Sequence, residues 1–452
     1  MNIHFIAIGG AVMHNLAIAL YKKGYKVTGS DDEIFDPAKS QLEKYGLLPS
    51  KTGWFPEKIS ESTDSVILGM HAKEDNPELQ RAKELNIQIK SFPEFLYEQT
   101  RDKTRIVIGG SHGKTTITAM VMHVLKSCGV SFDYMVGSQI EGFETMVGLY
   151  TDSKLAVFEG DEYLTSALDR RPKFHLYHPD IAVINGIAWD HINVFPDWNG
   201  YVDQFRIFTD MISAGGDLIY FADDSTVSEI VSSAREDIAK TAFRVHGYFQ
   251  NSKGFFAATE NRVIPLKIFG EHNMQNLSAA KAVCIKAGIS EDKFYRSIQN
   301  FSGSSKRLQL IKEGESGALY LDFAHAPSKV KATVEAVCER YPDHRIVACF
   351  ELHTFSSLSQ DFLKQYNGTM AGTTRSIVYF NPHAVKLKRL KRVEIGSVVS
   401  AFGDKGVEVY DDSKKLINAL KSERGEGTIF LLMSSGDFNG TNIIDLSNEL
   451  IS

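Results

Sequence analysis

Cysteine is scarce in this chain: Cys128, Cys284, Cys338 and Cys349 are the only four in 452 residues. No two of them have the two-residue gap of a zinc knuckle or a redox motif. A disulfide-stapled scaffold is therefore excluded, and buried thiols in a reducing cytoplasm are the expectation. Long apolar runs are also missing. No stretch approaches the roughly 20 residues that span a bilayer. The opening run, Met1-Asn-Ile-His-Phe-Ile-Ala-Ile, has no basic lead and reads as a strand, not a secretion signal. Finally, there is no excess of basic charge: 50 Lys and Arg face 56 Asp and Glu, for a net charge of -6. Nucleic-acid backbones and anionic membrane surfaces both select for the opposite sign, so neither is expected as a partner.

What is present is alternation. The length exceeds one ordinary core, so two or three domains are expected. Residues 3–8 form a short β-rich run, 13–23 show helical apolar spacing that stops at Gly24, and 25–28 form the next strand. That is a βαβ unit, which predicts a parallel sheet covered by helices. Further strands are predicted at 65–68 and 87–90. A second unit begins near Arg101, with a strand over 105–108, a turn over 109–113 and a helix over 115–126. A third begins near Arg307, with strands at 319–323, 346–350, 376–380 and 428–433. The Gly/Ser-containing stretch 301–306 is a candidate linker. The reading is α/β, with three domains each built on a mainly parallel sheet: residues 1–100, 101–304 and 305–452.

The strongest motif is Gly110-Ser111-His112-Gly113-Lys114-Thr115-Thr116. It lies between a predicted strand and a predicted helix, the setting in which backbone N–H groups and a helix N-terminus converge on phosphate oxygens. Lys114 would neutralise the β- and γ-phosphates of ATP, and the Thr115 hydroxyl would hold Mg²⁺. The general pattern puts a glycine at position 108, where this chain has Ile108, so the glycines that count are Gly110 and Gly113. The alternative is a glycine-rich turn with a solvated lysine. Such a loop alone fits a kinase, a switch GTPase, a motor or a ligase.

The shorter loop, Gly-[Ser/Thr]-x-Gly-Lys-Thr, resembles that of the Mur ligases, and the resemblance extends over essentially the whole chain. It implies a Rossmann-like first domain for a UDP-sugar, a P-loop NTPase-like central domain for ATP, and a Rossmann-like third domain that brings the amine. Glu159-Gly-Asp-Glu162 is similar to the family's acidic motif, whose first Glu holds Mg²⁺. Asn185-Gly-Ile-Ala-Trp-Asp190-His191 resembles its Asn-x-x-x-Asp-His segment, displaced by one at the asparagine; His191 would help hold a second Mg²⁺. Gly270-Glu-His-Asn273-Met-Gln-Asn276 looks like Gly-x-His-Asn-x-x-Asn, which assigns Asn273 and Asn276 to the adenine; helix capping by Asn273 is the alternative. Arg307 matches an arginine that reaches the nucleotide phosphates. Asp322-Phe-Ala-His325-Ala-Pro327 matches a motif that makes Asp322 a ribose contact and His325 an active-site polar group.

In the first domain, Gly9-Gly10-Ala11 lacks the third glycine of a dinucleotide fingerprint. It resembles the family's UDP-binding turn, with Asp31 and His71 as further contacts. The catalytic set implied is Lys114, Glu159, His191, Arg307 and His325. The reaction implied is amide formation on the carboxylate of UDP-N-acetylmuramate through an acyl phosphate, by a monomer or weak homodimer.

The amine that the resemblance implies is an amino acid or a peptide. Family members that add L-alanine carry Pro-His-Arg-Tyr-x-Arg where this chain has Leu352-His353-Thr354-Phe355-Ser356-Ser357. The missing arginines, the segment 162–174 and the turn 433–440 look more like members that add the tripeptide L-Ala-γ-D-Glu-meso-diaminopimelate. The tripeptide is therefore the first expectation and L-alanine the alternative, with His353 as a candidate contact to the amine substrate. A non-catalytic sugar-nucleotide binder is the rival of another class.

Overall fold

The computed structural model describes residues 1–70, 72–166, 168–403 and 406–451. Strands and helices alternate as expected, and the class is α/β with mainly parallel sheets. Two compact units divide the chain: residues 1–187, 198–244 and 277–298 form the first, and 188–197, 245–276 and 299–452 the second.

The first unit holds two sheets. The smaller has the order Lys26–Ser30, Asn2–Ile6, Ser65–Leu68, Gln88–Ser91, all parallel. Its strands are short and rich in β-branched residues, and Ile6, Val66 and Leu68 pack beneath the helix Pro77–Glu84. That helix starts where Asn76 accepts the Glu78 and Leu79 N–H groups at 2.9 and 3.1 Å, an N-cap that also follows from Pro77 at the first helical position. The larger sheet has the order Ala239–Phe243, Asp217–Phe221, Ile181–Ile184, Thr104–Gly109, Leu155–Glu159, Phe132–Met135, Val147–Gly148. Only its last pair is antiparallel. The central strand Thr104–Gly109 is buried from Arg105 onward and feeds the helix Lys114–Ser127, whose residues are almost all buried. A helix buried all round needs no polar face, which explains the run Ile-Thr-Ala-Met-Val-Met.

In the second unit the sheet order is Gln309–Gly314, Gly317–Asp322, Thr428–Met433, Arg345–Leu352, Arg375–Phe380, Val407–Tyr410. All pairs are parallel except the first. A separate antiparallel sheet of three strands, Tyr248–Asn251, Gly254–Thr259 and Arg262–Leu266, belongs to the same unit. No helix among the described residues is long and apolar enough to cross a membrane.

Candidate functional site

The candidate phosphate loop lies between the strand Thr104–Gly109 and the helix Lys114–Ser127, the setting expected of it. Ile108 is a buried strand residue and Gly109 ends the strand, so the loop proper begins at Gly110. Gly110 has φ +124, and a Cβ there would lie 2.9 Å from the Asn185 nitrogen. Gly113 is left-handed at φ +71 and starts the helix. Both positions therefore require glycine. Two bonds brace the loop against the end of Ile181–Ile184: Ser111 N–H donates to Gly186 O at 2.9 Å, and the Asn185 amide donates to His112 O at 3.2 Å. This gives Asn185, one position away from the family pattern, a bracing role.

Lys114 donates to Gly110 O at 2.8 Å and to Glu162 Oε2 at 2.6 Å. Burial disfavours its ammonium, but Glu162 and Asp161 outweigh that and hold its pKa above the usual lysine value. Glu162 also accepts from Tyr201 OH at 3.2 Å, and Tyr201 OH bonds Ser111 Oγ at 2.8 Å. Lys114 is thus held inside a loop by a carboxylate that a phosphate oxygen can replace. Thr115 Oγ1 donates to Glu159 Oε1 at 2.8 Å, and Gly137 N–H donates to the other Glu159 oxygen at 2.7 Å. Thr115 and Glu159 together form an all-oxygen donor set at a strand end, which is the chemistry Mg²⁺ prefers. Tyr201 and Gly137 were not singled out from the sequence; their distance along the chain hides the contacts.

At the other expected anion site, Gly10 caps the helix Ala11–Lys22 with its backbone. Asp31 follows the strand Lys26–Ser30 directly and accepts the Gly9 N–H at 2.7 Å. Burial, with Asp32 adding to it, pushes the Asp31 carboxyl up to about 6. His71 lies outside the described residues.

The second unit carries the remaining candidates. Asn273 lies in the first turn of the helix Glu271–Lys286, and its amide donates to Phe269 O at 2.9 Å, so it is not the N-cap. The Asn276 amide is 3.5 Å from Asn273 Oδ1. His272, directly before Asn273, is pushed down to about 4 by burial, which favours its neutral form. Arg307 stacks on Phe323 at 4.6 Å. Asp322 accepts the Leu308 and Ala324 N–H groups, and burial raises its pKa against the pull of Arg307.

His325 Nδ1 bonds Phe323 O at 2.8 Å, and its Nε2 is 3.7 Å from Asp190. Asp190 is paired with Lys329 at 3.0 Å. Burial opposes its charge, but Lys329 and His325 hold it well below the ordinary carboxylate range. His191, next to it, has φ +54, and its N–H donates to Asp190 Oδ1 at 2.8 Å. His353 stands just past the strand Arg345–Leu352, 3.9 Å from buried Glu351.

Comparison with known proteins covers nearly the whole chain. Three family models match in series: "Mur ligase family, catalytic domain" over residues 2–104, "Mur ligase middle domain" over 108–284, and "Mur ligase, glutamate ligase domain" over 306–436. A UDP-N-acetylmuramate–L-alanine ligase of Lactiplantibacillus plantarum is 32% identical over 372 residues, 78% of each chain. Its counterpart in Persephonella marina is 28% identical over 99% of this chain and 96% of its own. Among solved structures, a UDP-N-acetylmuramate-alanine ligase of Thermotoga maritima has a TM-score of 0.72 at 20% identity, covering 100% of this chain and 98% of its own. A murein peptide ligase of Psychrobacter arcticus has a TM-score of 0.68 at 22% identity, with the same coverage.

Proposed function

Because the chain belongs to the Mur ligase family of ATP-dependent amide-bond ligases, we propose that it extends the carboxylate of UDP-N-acetylmuramate with an amine. The observation that carries this reading is the phosphate loop. Lys114 is held on a replaceable carboxylate, with Thr115 and Glu159 beside it.

A carboxylate is a poor electrophile, so transfer of the ATP γ-phosphoryl group to it makes an acyl phosphate, which the amine then attacks with loss of phosphate. Lys114 would leave Glu162 for the transferring phosphoryl group and offset its charge. The N-terminus of the helix Lys114–Ser127 adds positive potential at the same place. Mg²⁺ held by Thr115 and Glu159, and a second Mg²⁺ that the family pattern assigns to His191, would supply further charge stabilisation. Gly9, Gly10 and Ala11, with Asp31, are proposed to receive the UDP moiety. Asn273, Asn276, Arg307 and Asp322 are assigned to the nucleotide, and His325 to the reacting groups. The boundaries 1–100, 101–304 and 305–452 are proposed as the functional division.

Two readings of the amine stand. L-Alanine comes first, because the curated relatives at 26–32% identity are named for it. This reverses the order expected from the sequence. The tripeptide L-Ala-γ-D-Glu-meso-diaminopimelate is the second reading. It is favoured by the absence of arginine from the turn 352–357 and by the murein peptide ligase among the structural neighbours.

Phosphate release from ATP with UDP-N-acetylmuramate, Mg²⁺ and either amine tests both. Release with one amine only identifies the substrate. Lys114→Ala is predicted to lower release at least about a hundredfold while UDP-sugar binding, followed by calorimetry, persists. Substantial turnover in that variant would sink the phosphate-loop assignment.

A further inference from the structure

Three parallel strands end side by side at one edge of the six-stranded sheet. Leu352 is in register with Phe380, and Phe350 with Met433. In open α/β sheets, ligands bind at this carboxyl edge. The segments that follow the strands share it. One carries His353 and Phe355, and the Phe355 ring is 44% exposed. Another is the short helix Pro382–Leu387 and the residues after it, reading Lys386-Leu-Lys388-Arg389-Leu-Lys391-Arg392. A chain of net charge -6 thus gathers five cations into seven residues at this edge.

Those cations are not balanced locally. Among the described residues, Arg392 has an acidic partner, Glu394 at 3.1 Å, while Lys386, Lys388, Arg389 and Lys391 have none within ion-pair distance. Nearby acids are engaged elsewhere. Asp437 accepts the Gly440 N–H at 3.0 Å, Asp412 caps the helix Ser413–Ser422, and buried Glu351 accepts from Ser434 and from the Phe438 N–H. The segment is also anchored. The Asn381 amide donates to Asn439 Oδ1 at 2.8 Å, tying it to the neighbouring turn, and Lys388 Nζ lies 5.1 Å over the Phe355 ring. A half-exposed aromatic ring under Lys388, beside further unpaired cations, is a surface for a molecule with apolar stretches between several carboxylates.

We propose that residues 386–392, with Phe355, form the recognition site for the carboxylates of the amine substrate, and that this substrate is a peptide carrying several of them. The proposal rests on the ligase reading and deepens its second form. L-Alanine offers one carboxylate, next to the reacting amine. A peptide that reacts at its N-terminus presents its carboxylates farther along, where an extended basic segment can meet them.

The test compares the intact enzyme with Lys388→Ala/Arg389→Ala and with Lys388→Glu/Arg389→Glu, using the tripeptide and L-alanine as amines. Both residues lie at the surface, and thermal unfolding checks that the variants fold. In the charge-reversed variant the KM for the tripeptide is expected to rise about tenfold or more, the range of one or two lost charge-assisted contacts. Values of kcat and the KM for ATP stay within about twofold, and the rise shrinks at high salt. An unchanged tripeptide KM in both variants would overturn the site and leave the ligase standing. Turnover with L-alanine alone by the intact enzyme would do the same. No phosphate release with either amine would bring down the ligase reading and this site with it.

Discussion

Asp31 shows what a single buried carboxyl does to this protein. Its oxygen takes the Gly9 N–H, the group a pyrophosphate would meet first in such a turn, and burial holds its pKa near 6 against an ordinary 3.8. The folded chain therefore binds this proton more tightly than the unfolded chain. The stabilisation is complete below about pH 4 and is lost as the pH rises through 6. Asp31→Asn keeps an oxygen for Gly9 and removes the charge, so its melting temperature relative to the unaltered protein should increase between pH 4.5 and 7.5. Parallel melting curves across that range would mean that solvent or Asp32 relieves the buried charge.

At the scale of elements, what could be read was what local pattern encodes. The strand–loop–helix around Lys114, the four strands of the smaller parallel sheet and four strands of the six-stranded sheet were legible because buried runs and glycine stops mark them, whereas Phe132–Met135, Ile181–Ile184, Asp217–Phe221, Ala239–Phe243 and Val407–Tyr410 were not singled out. The ends of the legible strands moved by one or two residues; the first strand closes at Ile6, and Ala7 turns with φ +67. The hairpins were not legible. Tyr248–Asn251 is half exposed along its length, and Gln309–Gly314 is a bulged edge strand, so neither shows a clean alternation. The candidate site was proposed from its motifs, and its braces were not visible in the sequence: Tyr201, Gly137 and Lys329 act on residues 39, 22 and 139 positions away.

The loop itself invites a test. Gly110→Ala places a Cβ 2.9 Å from the Asn185 nitrogen at φ +124. Strain of about 1–3 kcal/mol at one residue corresponds to roughly fivefold or more in affinity. The KM for ATP should rise by at least that factor with UDP-sugar binding unchanged, and an ATP KM within twofold would show that the loop tolerates a side chain.

On the scale of the molecule, sequence order and compactness disagree. Residues 188–197 and 245–276 pack with 299–452, although the chain returns to the first unit between and after them. Several contacts hold them there. Lys329 pairs with buried Asp190, Phe269 meets the Tyr320 ring edge-on at 5.6 Å, and the Gln250 amide reaches Glu339 O and Arg340 O at 3.2 Å each. A fragment ending at residue 304 would keep Asp190, Phe269 and Gln250 but lose every one of these partners. A buried carboxylate without its cation alone costs roughly 3–5 kcal/mol, a large part of the usual 5–15 kcal/mol of net stability. The fragment 1–304 is therefore predicted to aggregate or to melt well below the full chain, and Lys329→Met in the full chain should reproduce part of that loss. A soluble fragment with a cooperative transition within a few degrees of the full chain would show instead that these segments reseat on the first unit once 305–452 is gone, and that the proposed boundary at 304 is also a boundary of folding.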